Sequence, residues 1–255
     1  MTIELLSRED TRWDCVSLGE VMLRLDPGFG RVRTARSFAV HEGGGEYNVA
    51  RAMSKVFRMR SAAVTALVDN EIGRLVEDLM MAGGVELDHV SWVPFDGLGF
   101  TRVGLNFTEK GFGIRPPLGV SDRANSAASK MAPGDVDWNR LFAVEGARWF
   151  HTGGIFSGLS ETCADLALEG VQAARSAGTI VSYDVNLRAS LWKGPGRDPV
   201  EVNRRMLEHV DVVFGCFEDY RTGLGFEIED RPFEAWIEEA ERFGELARTV
   251  RAGFP

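Results

Sequence analysis

The sequence predicts an α/β protein built on a mostly parallel sheet that carries a small all-β insertion. Apolar runs of strand length alternate with amphipathic segments of helical length along most of the 255 residues. This alternation is typical of βαβ units. Between residues 90 and 123 the pattern changes to short alternating runs among glycines and prolines, as expected of antiparallel strands that project from the main sheet. No repeat or low-complexity linker interrupts the chain, so we expect one domain.

Before the insertion, hydrophobic periodicity and breaker residues define each predicted element. In chain order they are an apolar strand over 14–25 that ends before Pro27, a short half-exposed strand over 33–40, a helix over 46–57, an apolar strand over 61–67, and an amphipathic helix over 72–82 that ends at Gly83. The two apolar strands and the helices that follow them indicate parallel pairing.

After the insertion the same alternation returns. The predicted elements are a helix that begins near residue 137, a strand over 147–152, a helix over 161–176, a strand over 179–186, a helix over 199–208, a strand over 210–214 and a final helix over 232–250. The acidic run in the last helix is expected to form a solvated face.

Composition excludes some functions and favours others. A net charge of -9 disfavours a nucleic-acid partner, because phosphate backbones recruit basic surfaces. The three cysteines lie far apart in sequence, which is typical of reduced, mostly buried thiols. The first residues contain no apolar signal core, and no apolar stretch is long enough to span a bilayer. We therefore expect a cytoplasmic protein without nucleic-acid or membrane partners.

Three consecutive glycines, Gly43, Gly44 and Gly45, open the predicted helix over 46–57, with Asn48 in its first turn. Glycines let the backbone approach a ligand closely, and the free N–H groups at a helix start favour oxygen-rich groups. The alternative is a tight turn with no ligand. The spacing is not that of a dinucleotide-binding fingerprint, which argues against a nucleotide-dependent oxidoreductase.

His151 and the glycine pair that follows it end the predicted strand over 147–152. In open parallel sheets ligands bind outside the carboxyl ends of the strands, so the glycines suggest backbone approach to a substrate. They could equally serve only to turn the chain. We expect His151 to be a packed core residue rather than a catalyst.

Asp184, Asn186 and Arg188 are spaced by two residues at the end of the predicted strand over 179–186. On extended backbone they point the same way. A carboxylate, an amide and a guanidinium at this edge form a polar cluster suited to sugar hydroxyls and a carboxylate. A structural salt bridge between Asp184 and Arg188 is the alternative.

Four segments together resemble the ribokinase-like (PfkB) carbohydrate kinases, and among them the 2-keto-3-deoxygluconate kinases. They are GEVMLRLDP (19–27), GGGEYNVARA (43–52), RWFHTGGI (148–155) and SYDVNLR (182–188) with the Leu-Trp pair at 191–192. The segments occur in the family's order and span nearly all of the chain.

The resemblance implies a three-layer αβα core with a β-sheet lid that often serves as a dimerisation surface. It would extend over residues 13–255, with lid segments 22–40 and 90–123, and would form a homodimer through the lid. This agrees with the change of pattern after residue 90.

The resemblance also implies a set of sugar-binding residues. Arg123 and Arg188 would both contact the carboxylate of a sugar acid, which favours a keto-deoxy sugar acid over a neutral sugar, because an unpaired arginine beside a neutral hydroxyl is poorly compensated. Asn106 stands where related kinases often have a tyrosine. The implied substrate-binding set is Gly44, Gly45, Asn48, Asn106, Arg123, Ile155, Asp184, Asn186 and Arg188.

The resemblance implies ATP and Mg²⁺ as cofactors, but one motif departs from the family's pattern. An Asn-x-x-Glu motif that organises magnesium and phosphate is replaced here by Cys-Phe-Glu-Asp at 216–219. Asp219, at the glutamate position, would act through a water molecule.

The family's Gly-Ala-Gly-Asp motif, which supplies the anion hole and the catalytic base, does not occur in the 255 residues. Since phosphoryl transfer depends on such positioning and charge stabilisation, the expectation is a C-terminally truncated sugar-acid kinase without activity on its own. The alternative is a non-catalytic sugar-acid binder or a fragment that depends on a partner chain.

Overall fold

The computed structural model describes residues 3–194, 197–229 and 240–254. Its strands are β1 (Cys15–Leu18), β2 (Met22–Asp26), β3 (Ala39–Gly43), β4 (Ser61–Asp69), β5 (Val90–Pro94), β6 (Leu105–Glu109), β7 (Leu118–Asp122), β8 (Trp149–Gly153), β9 (Ile180–Asp184) and β10 (Val212–Phe214). Its helices are α1 (Gly45–Lys55), α2 (Glu71–Ala82), α3 (Gly154–Ser157), α4 (Glu161–Ser176), α5 (Pro199–Leu207) and α6 (Ala240–Ala252).

The main sheet has the order β10-β9-β8-β1-β4-β5, and every neighbouring pair is parallel. All four residues of β1 are buried, as are the first eight of β4. Strands covered on both faces have continuous apolar sequences, which is why their residues formed such clear runs. The α/β fold with a parallel sheet and a second, smaller sheet is confirmed.

Helices with strong end signals begin where the sequence predicts. The Asn70 side chain accepts hydrogen bonds from the N–H groups of Ile72 and Gly73 at the start of α2. At α4, Ser160 accepts from the Cys163 N–H. At α5, Asp198 caps the helix and Pro199 occupies its first turn. These caps satisfy N–H groups that the helix itself leaves free.

The smaller sheet, which we call the lid, has the order β3-β2-β6-β7. The prediction of one strand over 14–25 is wrong, because the chain leaves the main sheet after β1 and enters the lid as β2. The second lid segment was predicted to begin at residue 90, whereas β5 pairs with β4 in the main sheet. Nor is the lid purely antiparallel, since β2 and β6 run parallel.

Three other segments differ from prediction. Residues 33–40 were predicted as a strand, but they begin with a short 3₁₀ turn (Val32–Thr34) and only their last residues belong to β3. The helix expected near residue 137 is a π-helical turn, Asn139–Glu145. Of the helix predicted over 232–250, residues 232–239 lie outside the described part, and α6 accounts for the rest.

The two faces of the lid differ in chemistry. Register pairs His41 with Arg24, Arg24 with Asn106, and Asn106 with Ser121, and we call these four residues the inner row. The neighbouring set of paired residues lies on the opposite face, and we call it the outer row: Val40, Leu25, Phe107 and Val120. Because successive side chains on a strand alternate between faces, the lid is polar on one side and apolar on the other.

Within the described ranges, no helix combines the length and apolar character needed to cross a membrane.

Candidate functional site

A cleft of about 910 Å³ lies between the inner face of the lid and the loops that follow the carboxyl ends of β8 and β9. Most of the sequence-predicted residues line it together. These are Gly44, Gly45, Asn48, Asn106, Arg123, Ile155, Asn186 and Arg188. Asp184 and Asp219 are not among the lining residues. The cleft therefore brings side chains from the lid and the main sheet to one place.

Two guanidinium groups reach the cleft from different structural elements. Arg123 follows the last lid strand, β7, and Arg188 follows β9 of the main sheet. The Arg123 Nη1 atom lies 3.5 Å from Oε2 of Glu20, whose side chain is only 2% exposed. Arg188 is exposed, and its Nη1 donates to the Leu187 carbonyl oxygen at 3.0 Å. Arg123 is thus partly compensated within the protein, whereas Arg188 faces solvent.

Glu20 joins the end of β1 to the lid. Burial raises the pKa of its carboxyl group, and the positive charge of Arg123 opposes this rise. The space around Glu20 requires two glycines: a Cβ at Gly44 would lie 1.9 Å from the Glu20 carbonyl oxygen, and a Cβ at Gly104 would lie 2.6 Å from its Oε1. These close approaches explain why side chains are missing at both positions.

Gly45 and Ile155 form part of the floor of the cleft. A Cβ at Gly45 would lie 3.5 Å from Ile155 Cδ1 and 3.6 Å from Asn186 Nδ2. A side chain at this position would therefore fill space beside two other lining residues. The glycine leaves the α1 backbone accessible from the cleft.

Glu46 is a fully buried carboxyl group beneath this floor. Its Oε1 accepts a hydrogen bond from the Phe156 N–H at 3.1 Å, and its Oε2 has no partner among the described residues. Burial raises the pKa of Glu46 to about 7, and the negative charges of Asp184 and Glu20 add to the rise. The proton on this group is therefore linked to the folded state near neutral pH.

The loop after β9 does not follow the extended geometry on which its prediction rested. β9 ends at Asp184, and Asn186 adopts a φ of 35°, in the left-handed region. The residues at 184, 186 and 188 therefore do not share one strand face. Asn186 and Arg188 line the cleft, and Asp184 does not.

Asp219 holds this loop in place. Its Oδ1 accepts from the Leu187 N–H at 2.7 Å, and its Oδ2 accepts from the Cys216 N–H at 2.8 Å. Leu187 lies between Asn186 and Arg188, so the carboxylate fixes the backbone from which both lining side chains extend. Among the described residues no group of three His, Cys, Asp or Glu side chains is arranged to hold a metal ion. The assignment of Asp219 to magnesium and phosphate stays a prediction, and its observed contacts are structural.

The residues around the end of β8 have packing roles. His151 is 4% exposed, its Nδ1 lies 2.8 Å from Ser182 Oγ, and burial lowers its pKa to about 4. A Cβ at Gly154 would lie 2.1 Å from the Val185 carbonyl oxygen, and a Cβ at Gly153 would lie 2.7 Å from that of Asp184. The glycine pair therefore permits close packing of β8 against the end of β9.

Among the lid residues that line the cleft and that sequence reasoning missed are Arg24 and Ser121. Both belong to the inner row. The signal that could have found them is alternation, because Met22 and Arg24 lie on one face of β2 and the apolar Leu23 lies on the other.

Comparison with known proteins gives the following relatives. A family model described as pfkB family carbohydrate kinase matches residues 13–240. The 2-dehydro-3-deoxygalactonokinase of Haloferax volcanii is 34% identical over 213 residues, which are 83% of this chain and 63% of that protein. A fructokinase of Solanum tuberosum is 31% identical over 198 residues, which are 76% of this chain and 58% of that protein.

The fold agrees with a solved structure. The crystal structure of 2-dehydro-3-deoxygluconokinase from Thermotoga maritima superposes with a TM-score of 0.79 at 33% identity, covering 91% of this chain and 68% of that one. The chain thus spans roughly 58–68% of the length of the proteins it matches.

Removing the Glu46 carboxyl group should change how stability depends on pH. The unfolded chain releases this proton near pH 4.5 and the folded protein near pH 7, so the folded state binds more protons between these two pH values. The free energy of unfolding therefore falls as pH rises across this window, by about 3 kcal/mol from this group. In urea titrations, Glu46→Gln should lack this fall and gain about 3 kcal/mol relative to wild type between pH 4.5 and 7.

The exposed Glu86→Gln variant is the control and should follow wild type. Parallel profiles for Glu46→Gln and wild type would contradict the interpretation of Glu46.

Replacing Asp219 by asparagine should destabilise the protein. An amide keeps one acceptor oxygen and turns its N–H₂ group towards one of the two backbone donors. The free energy of unfolding should fall by about 1–3 kcal/mol, measured by urea denaturation. Asp165→Asn, at an exposed position on α4, should stay within about 0.5 kcal/mol of wild type. Equal stability of Asp219→Asn and wild type would contradict the role of Asp219 in holding the loop after β9.

Proposed function

The chain belongs to the pfkB family of carbohydrate kinases, and we propose from this that it binds a 2-keto-3-deoxy sugar acid as the phosphoryl acceptor of an ATP-dependent kinase. The observation that carries the proposal is the convergence of Arg123 and Arg188 on one cleft. Guanidinium groups recognise carboxylates through paired, charge-assisted hydrogen bonds. A neutral sugar would leave the exposed charge of Arg188 without an anionic partner.

The names of two relatives support a sugar acid as the substrate. Proteins named 2-dehydro-3-deoxygalactonokinase and 2-dehydro-3-deoxygluconokinase are 34% and 33% identical to this chain. A relative named fructokinase, at 31% identity, represents the competing class of neutral substrates. The arginine pair is the feature by which we choose the acid.

In the proposed complex each wall of the cleft has its own role. Arg188, exposed in the free protein, binds the carboxylate. Arg123 also attracts the carboxylate, but less strongly, because Glu20 compensates part of its positive charge. The amides of Asn48 and Asn186 hydrogen-bond to hydroxyl groups, and Asn106 contacts the sugar acid from the lid. Ile155 packs against the carbon chain, and the backbone at Gly44 and Gly45 approaches the sugar closely.

ATP and Mg²⁺ follow from family membership. ATP supplies the transferred phosphoryl group, and Mg²⁺ offsets the charge of its phosphates. Of the residues considered above, Asp219 is the one expected near them. Each of its oxygens accepts one backbone N–H group, and we propose that its contact with Mg²⁺ runs through a water molecule.

Binding of the acid should depend on Arg188. Titration calorimetry of the chain with 2-keto-3-deoxygluconate should give a dissociation constant at least about tenfold higher for Arg188→Gln than for wild type, since a charge-assisted hydrogen bond is lost. Arg205→Gln, an exposed arginine on α5, should bind as wild type does. Equal affinities for Arg188→Gln and wild type, or tighter binding of fructose than of the acid, would refute the proposal.

We also propose that two chains associate through the outer row of the lid. Val40 and Val120 are 36% and 43% exposed, and Leu118 beside them is 50% exposed. Contiguous apolar surface of this kind marks interaction sites. A second copy of the lid presents the same apolar row and would cover it.

A charge in the outer row should abolish this dimer. We expect wild type to elute as a dimer and Val120→Asp as a monomer in size-exclusion chromatography with light scattering, because a dimer interface excludes an unpaired carboxylate. Val144→Asp places the same change at a site outside the lid that is 74% exposed, and should remain dimeric. A monomeric wild type would overturn the proposal.

A further inference from the structure

Arg24 is a cation in the cleft to which the proposed substrate assigns no role. It lines the cleft from β2, half-buried, and its side chain has no hydrogen-bond or ion-pair partner anywhere in the described residues. Its stem crosses Gly43, where a Cβ would lie 2.5 Å from Arg24 Cδ. The glycine thus leaves a path along which the guanidinium group extends.

The carboxylates near Arg24 in the sequence or the fold are engaged elsewhere. Glu42 pairs with Arg51 at 2.6 Å, Asp26 pairs with Lys110 at 2.9 Å, and Glu20 lies by Arg123. Asp122, at the far edge of the lid, pairs with Arg102. Opposite Arg24 on β3 is His41, which carries no negative charge. The positive charge of Arg24 is therefore uncompensated.

The neighbours of Arg24 on the inner row present hydrogen-bond donors. Thr108 Oγ1 donates to Asn106 Oδ1 at 2.7 Å, which occupies the amide oxygen and turns the amide nitrogen towards Ser121. That nitrogen donates to Ser121 Oγ at 2.9 Å. One amide hydrogen and the Ser121 hydroxyl hydrogen remain to donate, beside the five N–H groups of the arginine. We call Arg24, Asn106 and Ser121 the donor row.

The Arg24 end of the donor row lies apart from the arginine pair. It crosses β2, β6 and β7, so its ends are about 10 Å apart along the sheet, and Arg24 lies at the end away from the β7 strand that leads to Arg123. The cleft volume of about 910 Å³ is near the upper end of the range of about 300–1,000 Å³ found for small-molecule sites. There is room for a ligand group beyond the one that Arg123 and Arg188 hold.

We propose that the donor row is a second oxyanion subsite, so that the preferred ligand is a sugar acid with two anionic groups. The second group is a carboxylate or a phosphate ester, which share the acceptor oxygens and the charge that the row requires. A hydroxyl group would leave the desolvated guanidinium without a counter-charge. The inference rests on the proposed function for the first carboxylate and adds the substrate class.

The test is calorimetry on the chain with three probes that differ in their second group. These are 2-keto-3-deoxygluconate, with one acid group; its 6-phosphate; and glucarate, with two carboxylates. At least one of the two doubly anionic probes should bind wild type about tenfold or more tightly than the singly anionic one. The probe that gains identifies the second group as phosphate or carboxylate.

Arg24→Gln should remove this advantage and leave the affinity for 2-keto-3-deoxygluconate unchanged. Arg24→Lys, which keeps the charge but not the planar fork, should retain part of it. Arg33→Gln is the control, since Arg33 is an exposed lid arginine outside the cleft. Circular dichroism checks that each variant is folded.

Two results would overturn the inference: equal affinity of wild type for all three probes, or a loss in Arg24→Gln that is the same for singly and doubly anionic probes. These differ from failure of the proposed function. If 2-keto-3-deoxygluconate does not bind wild type but a doubly anionic probe binds in an Arg24-dependent way, the first proposal fails and the subsite stands.

Discussion

The arrangement of the cleft depends on one buried ion pair, between Glu20 and Arg123. Glu20 lies where the chain leaves β1 for the lid, and Arg123 lies where it leaves the lid again. The pair therefore links the connection that enters the lid from β1 to the connection that leaves it after β7. Removing one partner would leave a buried charge uncompensated, which costs about 3–5 kcal/mol. Gly104 leaves space for the Glu20 carboxyl group and Gly44 for the Glu20 main-chain carbonyl, so both glycines accommodate the residue that forms the pair.

Much of the fold could be predicted because burial on both faces and capping residues leave strong local signals. Strands such as β4 and helices such as α4 show them clearly. The break between β1 and β2 could not be predicted, since both strands are apolar and only Gly19 and Glu20 separate them from a continuous run. The π-helical turn near residue 139 lacks a distinctive pattern for a similar reason: its buried side chains have helical spacing.

The site was predictable only in part. Arg188 was inferred from its place at the end of a predicted strand and Arg123 from resemblance, and the structure places both on one cleft. Arg24 was not found, because an arginine on a strand reads as a solvated side chain until its neighbours across the sheet are known. Asp219 shows the opposite case: its position in the motif was recognised, but its hydrogen bonds to Leu187 and Cys216 depend on a loop geometry that spacing does not encode.

The parallel pairing of β2 with β6 has a consequence for the order of folding. The lid is made of strands far apart in the chain, with Leu23 beside Leu105, and the intervening segment contains α1, β4 and α2. Loop closure over such a span is entropically costly until the intervening elements are in place. The lid therefore forms after the elements between β2 and β6, and because β7 is exposed along its whole length whereas β1 is buried, the lid should also open more readily than β1.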